Sequence, residues 1–272
     1  MTAVMQPTET LEAEPLLAVR GIDAFYGPIR ALQGVSFSVG AGERLALVGA
    51  NGAGKSTTLR VISGLIAPRR GEVVFDGRQI GGLAAEKVVR RGVAHLPEGR
   101  ELFSGLSVEE NLRAGFRPLR GTGVSFAQQR DRVTGYFPIL RERARQAAGT
   151  LSGGEQQMLG AARALMSNPK LLLVDELSLG LAPKIVAQLF EILAEVNRDG
   201  TAVVIVEQFV HMALANTDRA IVLARGEVVL EGASAELLDD PRLIASYLGE
   251  AVPEPAAKPR SPRRRAPSRS RP

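Results

Sequence analysis

The stretch "GANGAGKST", residues 49–57, combines backbone freedom with one cation and two hydroxyls. Gly49, Gly54, Lys55 and Ser56 fall at the spacing G-x-x-x-x-G-K-[ST]. Glycines let the chain turn so that successive N–H groups, from Gly49 through Ala50, Asn51, Gly52, Ala53 and Gly54, point inward at phosphate oxygens. A helix opening at Lys55 adds its positive dipole end. Lys55 can reach outer phosphates, the Ser56 hydroxyl can ligate Mg2+, and Thr57 stands beside them in the binding set. The chemistry expected is the binding of a triphosphate with its Mg2+.

A second constellation is "LLLVDELSLGLAP", residues 171–183, where four apolar residues run into Asp175 and Glu176. Ligands of parallel sheets sit at the carboxyl ends of strands. A strand at 171–174 lying beside the strand that precedes the glycine turn would bring Asp175 to the cation held by Ser56. Successive side chains on extended backbone point in opposite directions. Glu176 is therefore expected to face away from Asp175, toward a water attacking the γ-phosphate. Asp175 reads as the metal ligand and Glu176 as the general base, a role that contributes about 10²–10⁴ in rate. A solvated strand end could carry the same two acids, but the glycine turn upstream favours the chemical reading.

A third feature is "LSGGEQQMLGAARALM", residues 151–166. Ser152 and Glu155 form a capping box that opens a helix with Met158, Leu159, Ala162, Leu165 and Met166 on one face. Gly153 and Gly154 leave the first N–H groups bare, which suits an anion.

These groups need elements to hold them. "RLALVGA" is a compact strand before the glycine turn, and "KSTTLRVISGLI" is a helix with Leu59, Ile62, Leu65 and Ile66 at helical spacing. "PKLLLVDE" and "TAVVIVEQ" are buried strands on either side of an amphipathic helix, with Pro183 in its first turn and Gly200 at its stop. "RAIVLARGEVVLEG" is a hairpin around Arg225–Gly226. "LLAVRGIDAFYG" and "ALQGVSFSVGAGERLALVGA" read as short β segments broken by glycines. Residues 98–158 are more polar and helical in pattern. Strand and helix alternate, so an α/β fold with a mainly parallel sheet is expected.

The absence of cysteine excludes disulfides, thiolate catalysis and cysteine-held metals. Two histidines, His95 and His211, make a histidine-rich metal site untenable. No apolar run approaches the ~18 residues of a spanning helix. Residues 1–15 read as disordered and lack the order of a signal peptide. Residues 251–272 carry seven basic side chains against Glu254, so with a whole-chain charge of +5 the remainder sums to −1. Specific nucleic-acid binding would need its positive charge on the folded body, where it is missing. The Pro-, Ser- and Arg-rich tail reads as unfolded. Such a tail is a solvated extension, an electrostatic contact with anionic lipid worth up to ~1 kcal/mol per basic residue near the surface, or, as the weakest of the three readings, a contact with nucleic acid.

The glycine turn, LSGGE and the acidic strand end, in this order, resemble the nucleotide-binding subunits of ABC transporters over about residues 16–248. The resemblance implies a P-loop NTPase domain at 16–250, with an N-terminal antiparallel β subdomain and a helical subdomain inserted at about 98–158. It implies ATP and Mg2+ as cofactors, and it matches Tyr26 to the aromatic residue that stacks on adenine. In the family, LSGGE of one subunit caps ATP held by another. Ser152, Gly153 and Gly154 would then serve a second ATPase subunit, identical or different. Two transmembrane permease subunits and an extracytoplasmic solute-binding protein complete the implied assembly, with this chain at the cytoplasmic face of the membrane.

"LPEGRELFSGLSVEENL", "LSGGEQQML", "SLGLAPKIV", "VEQ" and "SYLG" look like an ATP subunit of branched-chain amino-acid importers. Glu98 replaces the family's loop glutamine near the metal, and Gln208 replaces its switch histidine. Gln208 can hydrogen-bond a γ-phosphate but cannot hold a positive charge, so hydrolysis is expected to be slow unless a partner contributes. His211 is expected to be incidental and His95 packed. Leu177 departs from the family's proline, and a looser turn behind the base is expected. Subunits of urea, amide or aromatic-acid importers look similar, and a non-catalytic regulatory ATP binder is the reading from another class. A soluble ATPase of translation or DNA repair would show a duplicated core or a long coiled coil, and this chain shows neither.

Overall fold

The computed structural model describes residues 14–99, 101–117 and 123–243. In chain order its elements are β1 (Leu17–Tyr26), β2 (Ile29–Val39), β3 (Arg44–Val48), α1 (Lys55–Ile62), β4 (Arg70–Phe75), β5 (Arg78–Gln79), α2 (Ala85–Arg91), β6 (Val93–Leu96), α3 (Val108–Gly115), α4 (Phe126–Tyr136), α5 (Pro138–Glu142), α6 (Gly153–Leu165), β7 (Leu171–Asp175), α7 (Pro183–Arg198), β8 (Ala202–Val206), α8 (Val210–Ala215), β9 (Arg219–Ala224), β10 (Glu227–Ala233) and α9 (Ser234–Leu237). Of the stretches expected to be unfolded, residues 1–13 and 251–272 lie outside the described residues.

Every residue of β7 (LLLVD) and β8 (AVVIV) is buried. Strands this apolar need cover on both faces, which a parallel sheet between helical layers supplies. Both lie in a six-stranded sheet of order β10–β9–β3–β8–β7–β6, parallel throughout except for the β9–β10 pair. Side-chain alternation divides its core. Leu171, Leu173, Val204 and Val206 face the cluster that holds Leu59 and Ile62 of α1. Leu172, Val174, Val203 and Ile205 face the cluster formed with α6 and α7. By the same parity Asp175, the last residue of β7, belongs to the α1 face. A four-stranded antiparallel sheet of order β2–β1–β4–β5 closes over the first cluster through Leu17, Val19, Phe37 and Phe75.

Three local expectations change. β7 does not lie beside β3, because β8 runs between them. Asp175 still reaches the glycine turn, since α1 packs across the sheet face and carries Ser56 over the end of β8 to meet it. The glycines expected to break the first strands do not break them. β1 and β2 run through Gly21 and Gly34, with φ of 58° and 62°, at shifts of register. Each extra residue is absorbed as a bulge, and the ladder resumes beyond it. The helix expected over 55–66 stops at Ile62. Gly64 takes φ 77°, its N–H donates to Val61 O at 3.2 Å, and Leu65 N–H donates to Arg60 O at 2.9 Å. This pair of bonds is a Schellman stop, and it outweighs the apolar spacing of Leu65 and Ile66.

The hairpin at Arg225–Gly226 forms as expected, with φ of 51° and 81° at its two turn residues. Its position carries more meaning than its form. Gly226 N–H donates to Ala53 O at 3.0 Å, and Gly226 O accepts from Gln33 N–H at 2.8 Å. The tip therefore buttresses the glycine turn against β2. Among the described residues no helix is long and apolar enough to cross a membrane.

Candidate active site

β3 delivers the chain into the glycine turn, and Gly54 ends that turn at φ 107° as the N-cap of α1. A Cβ at Gly54 would stand 2.7 Å from Leu32 Cδ2 and 3.1 Å from Ala31 O. The position therefore demands glycine both for its backbone angle and for the close approach of β2. Helices α3, α4 and α6 each open with a serine that closes a capping box. In contrast, α1 opens with no side-chain cap and no acid in its first turn. Its positive end is left for an anion.

Lys55 is buried, and its ammonium donates to Gly49 O at 2.8 Å and Ala50 O at 3.1 Å. Burial lowers its pKa, while the charges of Glu176 and Asp175 act the other way. The Ser56 hydroxyl donates to Asp175 Oδ1 at 3.1 Å. Asp175 is only 2% exposed, and its pKa is pushed up to about 6. Burial is the main cause; Glu176 and Glu98 add repulsion, and Ser56 and Arg60 oppose the rise. Buried acid, hydroxyl and the Glu98 carboxylate on the wall of the same cleft are hard oxygen donors that fit Mg2+. Among the described residues no cluster of three or more His, Asp or Glu could hold a metal ion.

Glu176 takes φ 49°. The chain has left the extended conformation there, so strand alternation does not separate the two acids as expected; a left-handed turn does. Such strain in a non-glycine residue persists only where the surroundings enforce it. Here Glu176 N–H donates to Val206 O at 2.9 Å. The Glu176 carboxylate receives Nε2 of Gln208 at 3.0 Å on each of its oxygens. Leu177, where a looser turn was expected, is 1% exposed and packed in the core against α6 and α7. Burial anchors this turn in place of a proline ring.

A cleft of about 470 Å³ gathers Tyr26, Asn51, Gly52, Gly54, Lys55, Ser56, Thr57, Glu98, Glu176 and Gln208, with Ala31. Gly49, Ala50 and Ala53 form the backbone beneath them, and Asp175 joins through Ser56. Tyr26 is 43% exposed at the end of β1, which excludes a packed strand tyrosine. Ser152, Gly153 and Gly154 do not line this cleft. They open α6 elsewhere on the surface, where Ser152 Oγ accepts Glu155 N–H and the N–H groups of Gly153 and Gly154 stay outside the box. His211 is exposed on α8 and also lies outside the cleft.

Several participants carried no mark in the sequence. Arg60 donates to the Tyr26 hydroxyl at 3.1 Å and opposes the rise in the Asp175 pKa. Gly226, legible in the sequence only as a hairpin turn, supports the glycine turn through Ala53, and Glu207 grips Ser178 just behind the base. Only contact across the fold connects them, and spacing could not have found them.

His95 is packed as expected, and its Nε2 has no hydrogen-bond partner among the described residues. Burial, with a smaller push from Arg60, lowers its pKa to about 4. As pH falls, the unfolded chain takes up this proton near ~6.5 and the folded chain only near 4. Stability present above ~6.5 is therefore lost as pH drops toward 4. Denaturant melts at pH 7 and 4.5 should show His95→Gln relieving about 2 kcal/mol of the acid loss. Parallel pH curves for the two chains would contradict the buried neutral imidazole.

A parallel sheet whose glycine turn, buried lysine, helix hydroxyl and strand-end acid meet in one cleft defines a P-loop nucleotide-binding protein. Residues 32–178 match the family described as ABC transporter, and the chain belongs to that family. It is an ATP-binding, ATP-hydrolysing subunit. The chain is similar to BraG of Pseudomonas aeruginosa, a high-affinity branched-chain amino acid transport ATP-binding protein. Identity is 46% over 234 residues, covering 86% of this chain and all of BraG. The ADP conformation of MJ1267, an ATP-binding cassette of an ABC transporter, superposes with a TM-score of 0.78 at 27% identity, covering 88% of this chain and 100% of that one. A dimeric post-hydrolysis state of the cassette MJ0796 bound to ADP and Pi has a TM-score of 0.70 at 27% identity, covering 80% and 98%.

Proposed function

We propose that this chain powers an importer of branched-chain amino acids from the cytoplasmic face of the membrane. The observation that carries its catalytic half is the convergence of Lys55, Ser56, Asp175 and Glu176 on one cleft. Asp175, Ser56 and Glu98 would hold Mg2+, which supplies charge neutralisation on the nucleotide phosphates. Glu176 takes the proton of the attacking water, and Gln208 orients the Glu176 carboxylate through its two contacts. Tyr26 offers its exposed ring to the adenine.

Ser152, Gly153 and Gly154 stand apart from the cleft, so within one protomer the exposed start of α6 serves no nucleotide. A second ATPase subunit, of this or a related chain, gives it one. The two clefts then close face to face on ATP and reopen after hydrolysis. Within one ATPase domain at 16–250, the helices of 98–158 meet two transmembrane permeases, which receive solute from an extracytoplasmic binding protein. The likeness to BraG supports branched-chain amino acids as the solute. The test is uptake. Cells lacking this chain should lose leucine, isoleucine and valine import and regain it with the wild-type chain but not with Glu176→Gln. Intact branched-chain uptake with lost urea, amide or aromatic-acid uptake would move the assignment to that solute.

A further inference from the structure

The turn that presents Glu176 and the loop that presents Gln208 are joined beneath the cleft by a second carboxylate. Glu207 follows β8 directly, is 1% exposed, and makes no ion pair among the described residues. One of its oxygens accepts the Ser178 N–H at 3.0 Å, and the other accepts the Ser178 hydroxyl at 2.6 Å. Above it, Glu176 N–H donates to Val206 O at 2.9 Å, and the Gln208 amide meets both Glu176 oxygens at 3.0 Å. Two short loops, 32 residues apart in sequence, are thus laced at backbone and side chain.

A carboxylate buried without a cation is costly to keep unless its oxygens are hydrogen-bonded. Both of its oxygens are spent on one serine, the second residue after the base. That serine lies within a turn that opens on Glu176 at φ 49°, a non-glycine residue, and that has Leu177 where a proline would stiffen it. We propose that Glu207 is a positioning residue for ATP hydrolysis: by clamping Ser178 it fixes the left-handed turn that aims Glu176 and sets Gln208 against it. The inference rests on the assignment of Glu176 as the base. Glu207 itself does not line the cleft.

Glutamine at 207 keeps the shape but gives one of its two ends to an amide that cannot accept a hydrogen bond. In the full chain assembled with its permeases, Glu207→Gln should lower kcat for ATP about tenfold and leave KM within about twofold, since one misplaced hydrogen-bonded contact is worth about a factor of ten. Ser178→Ala, which keeps the N–H bond, should lose less, and Ser178→Thr, which keeps the hydroxyl, should restore the wild-type rate. The discriminating measurement is a cycle with Glu176→Gln, followed by single-turnover hydrolysis. Once the base is gone, Glu207→Gln should cost nothing further, a result that general weakening of the fold would not produce. An equal tenfold loss in both backgrounds overturns the proposal, as does an unchanged kcat in Glu207→Gln. Should Glu207→Gln fail to fold, the Ser178→Ala and Ser178→Thr pair decides alone, and equal rates for the two refute the clamp. If Glu176→Gln itself leaves kcat unchanged, the base assignment fails instead, which is a separate outcome.

Discussion

Glu176→Gln should reduce ATP turnover by about 10²–10⁴, the usual contribution of a positioned general base, while leaving nucleotide affinity nearly unchanged. Glutamine preserves the volume and one carbonyl acceptor, so the Gln208 contact and the turn behind it should survive. What disappears is the capacity to take a proton from water. The phosphate-binding groups, Lys55, Ser56 and the first amides of α1, are untouched, so ATP should still bind and still favour subunit closure. On the proposed mechanism the variant should accumulate as a nucleotide-loaded pair. Steady-state turnover, ATP binding by calorimetry, and mass by light scattering in ATP and in ADP test the three parts. Turnover within threefold of wild type would remove Glu176 from the chemistry.

Asp175→Asn should pull activity and stability in opposite directions. Losing the charged oxygen beside Ser56 removes several kcal/mol of interaction with a bound cation, so turnover should fall by about 10² or more. Folding without nucleotide should improve. The Asp175 pKa is about 6 in the folded chain, above the ~3.9 of an unfolded aspartate. A carboxyl raised in this way contributes stability below the unfolded value, and the contribution is lost as pH rises through about 6. At pH 8 the charged acid is therefore a net cost that asparagine avoids, and asparagine can still accept the Ser56 hydroxyl. Denaturant melts with a chelator present should show Asp175→Asn more stable by about 1–2 kcal/mol at pH 8, shrinking toward zero near pH 4. A variant no more stable than wild type at pH 8 would show that the carboxylate is not held against its solvation.

The glycine turn was readable because it is local. Nine consecutive residues fix the phosphate turn, since the glycines, the lysine and the helix start act on the chain beside them. The capping box at Ser152–Glu155 and the stop at Gly200 are equally short-range. Apolar runs such as LLLV and AVVIV identified buried strands, because a strand covered on both faces has no polar side to alternate with. Where backbone conformation overrode pattern, the reading slipped. The Gly64 stop ended α1 before its apolar spacing did, and left-handed backbone at Glu176 replaced the alternation expected of a strand.

Sequence by itself determined the glycine turn and the helix it opens, which acids end the strand, and that strands and helices alternate. Strand order, the placement of β8 between β3 and β7, and the joining of Glu207 to Ser178 and of Gly226 to Ala53 were decided only in three dimensions. Adjacent residues carry their geometry in the bonds between them. Residues tens or hundreds apart meet only after the whole core has chosen one packing, and their types alone do not encode which partner they will find.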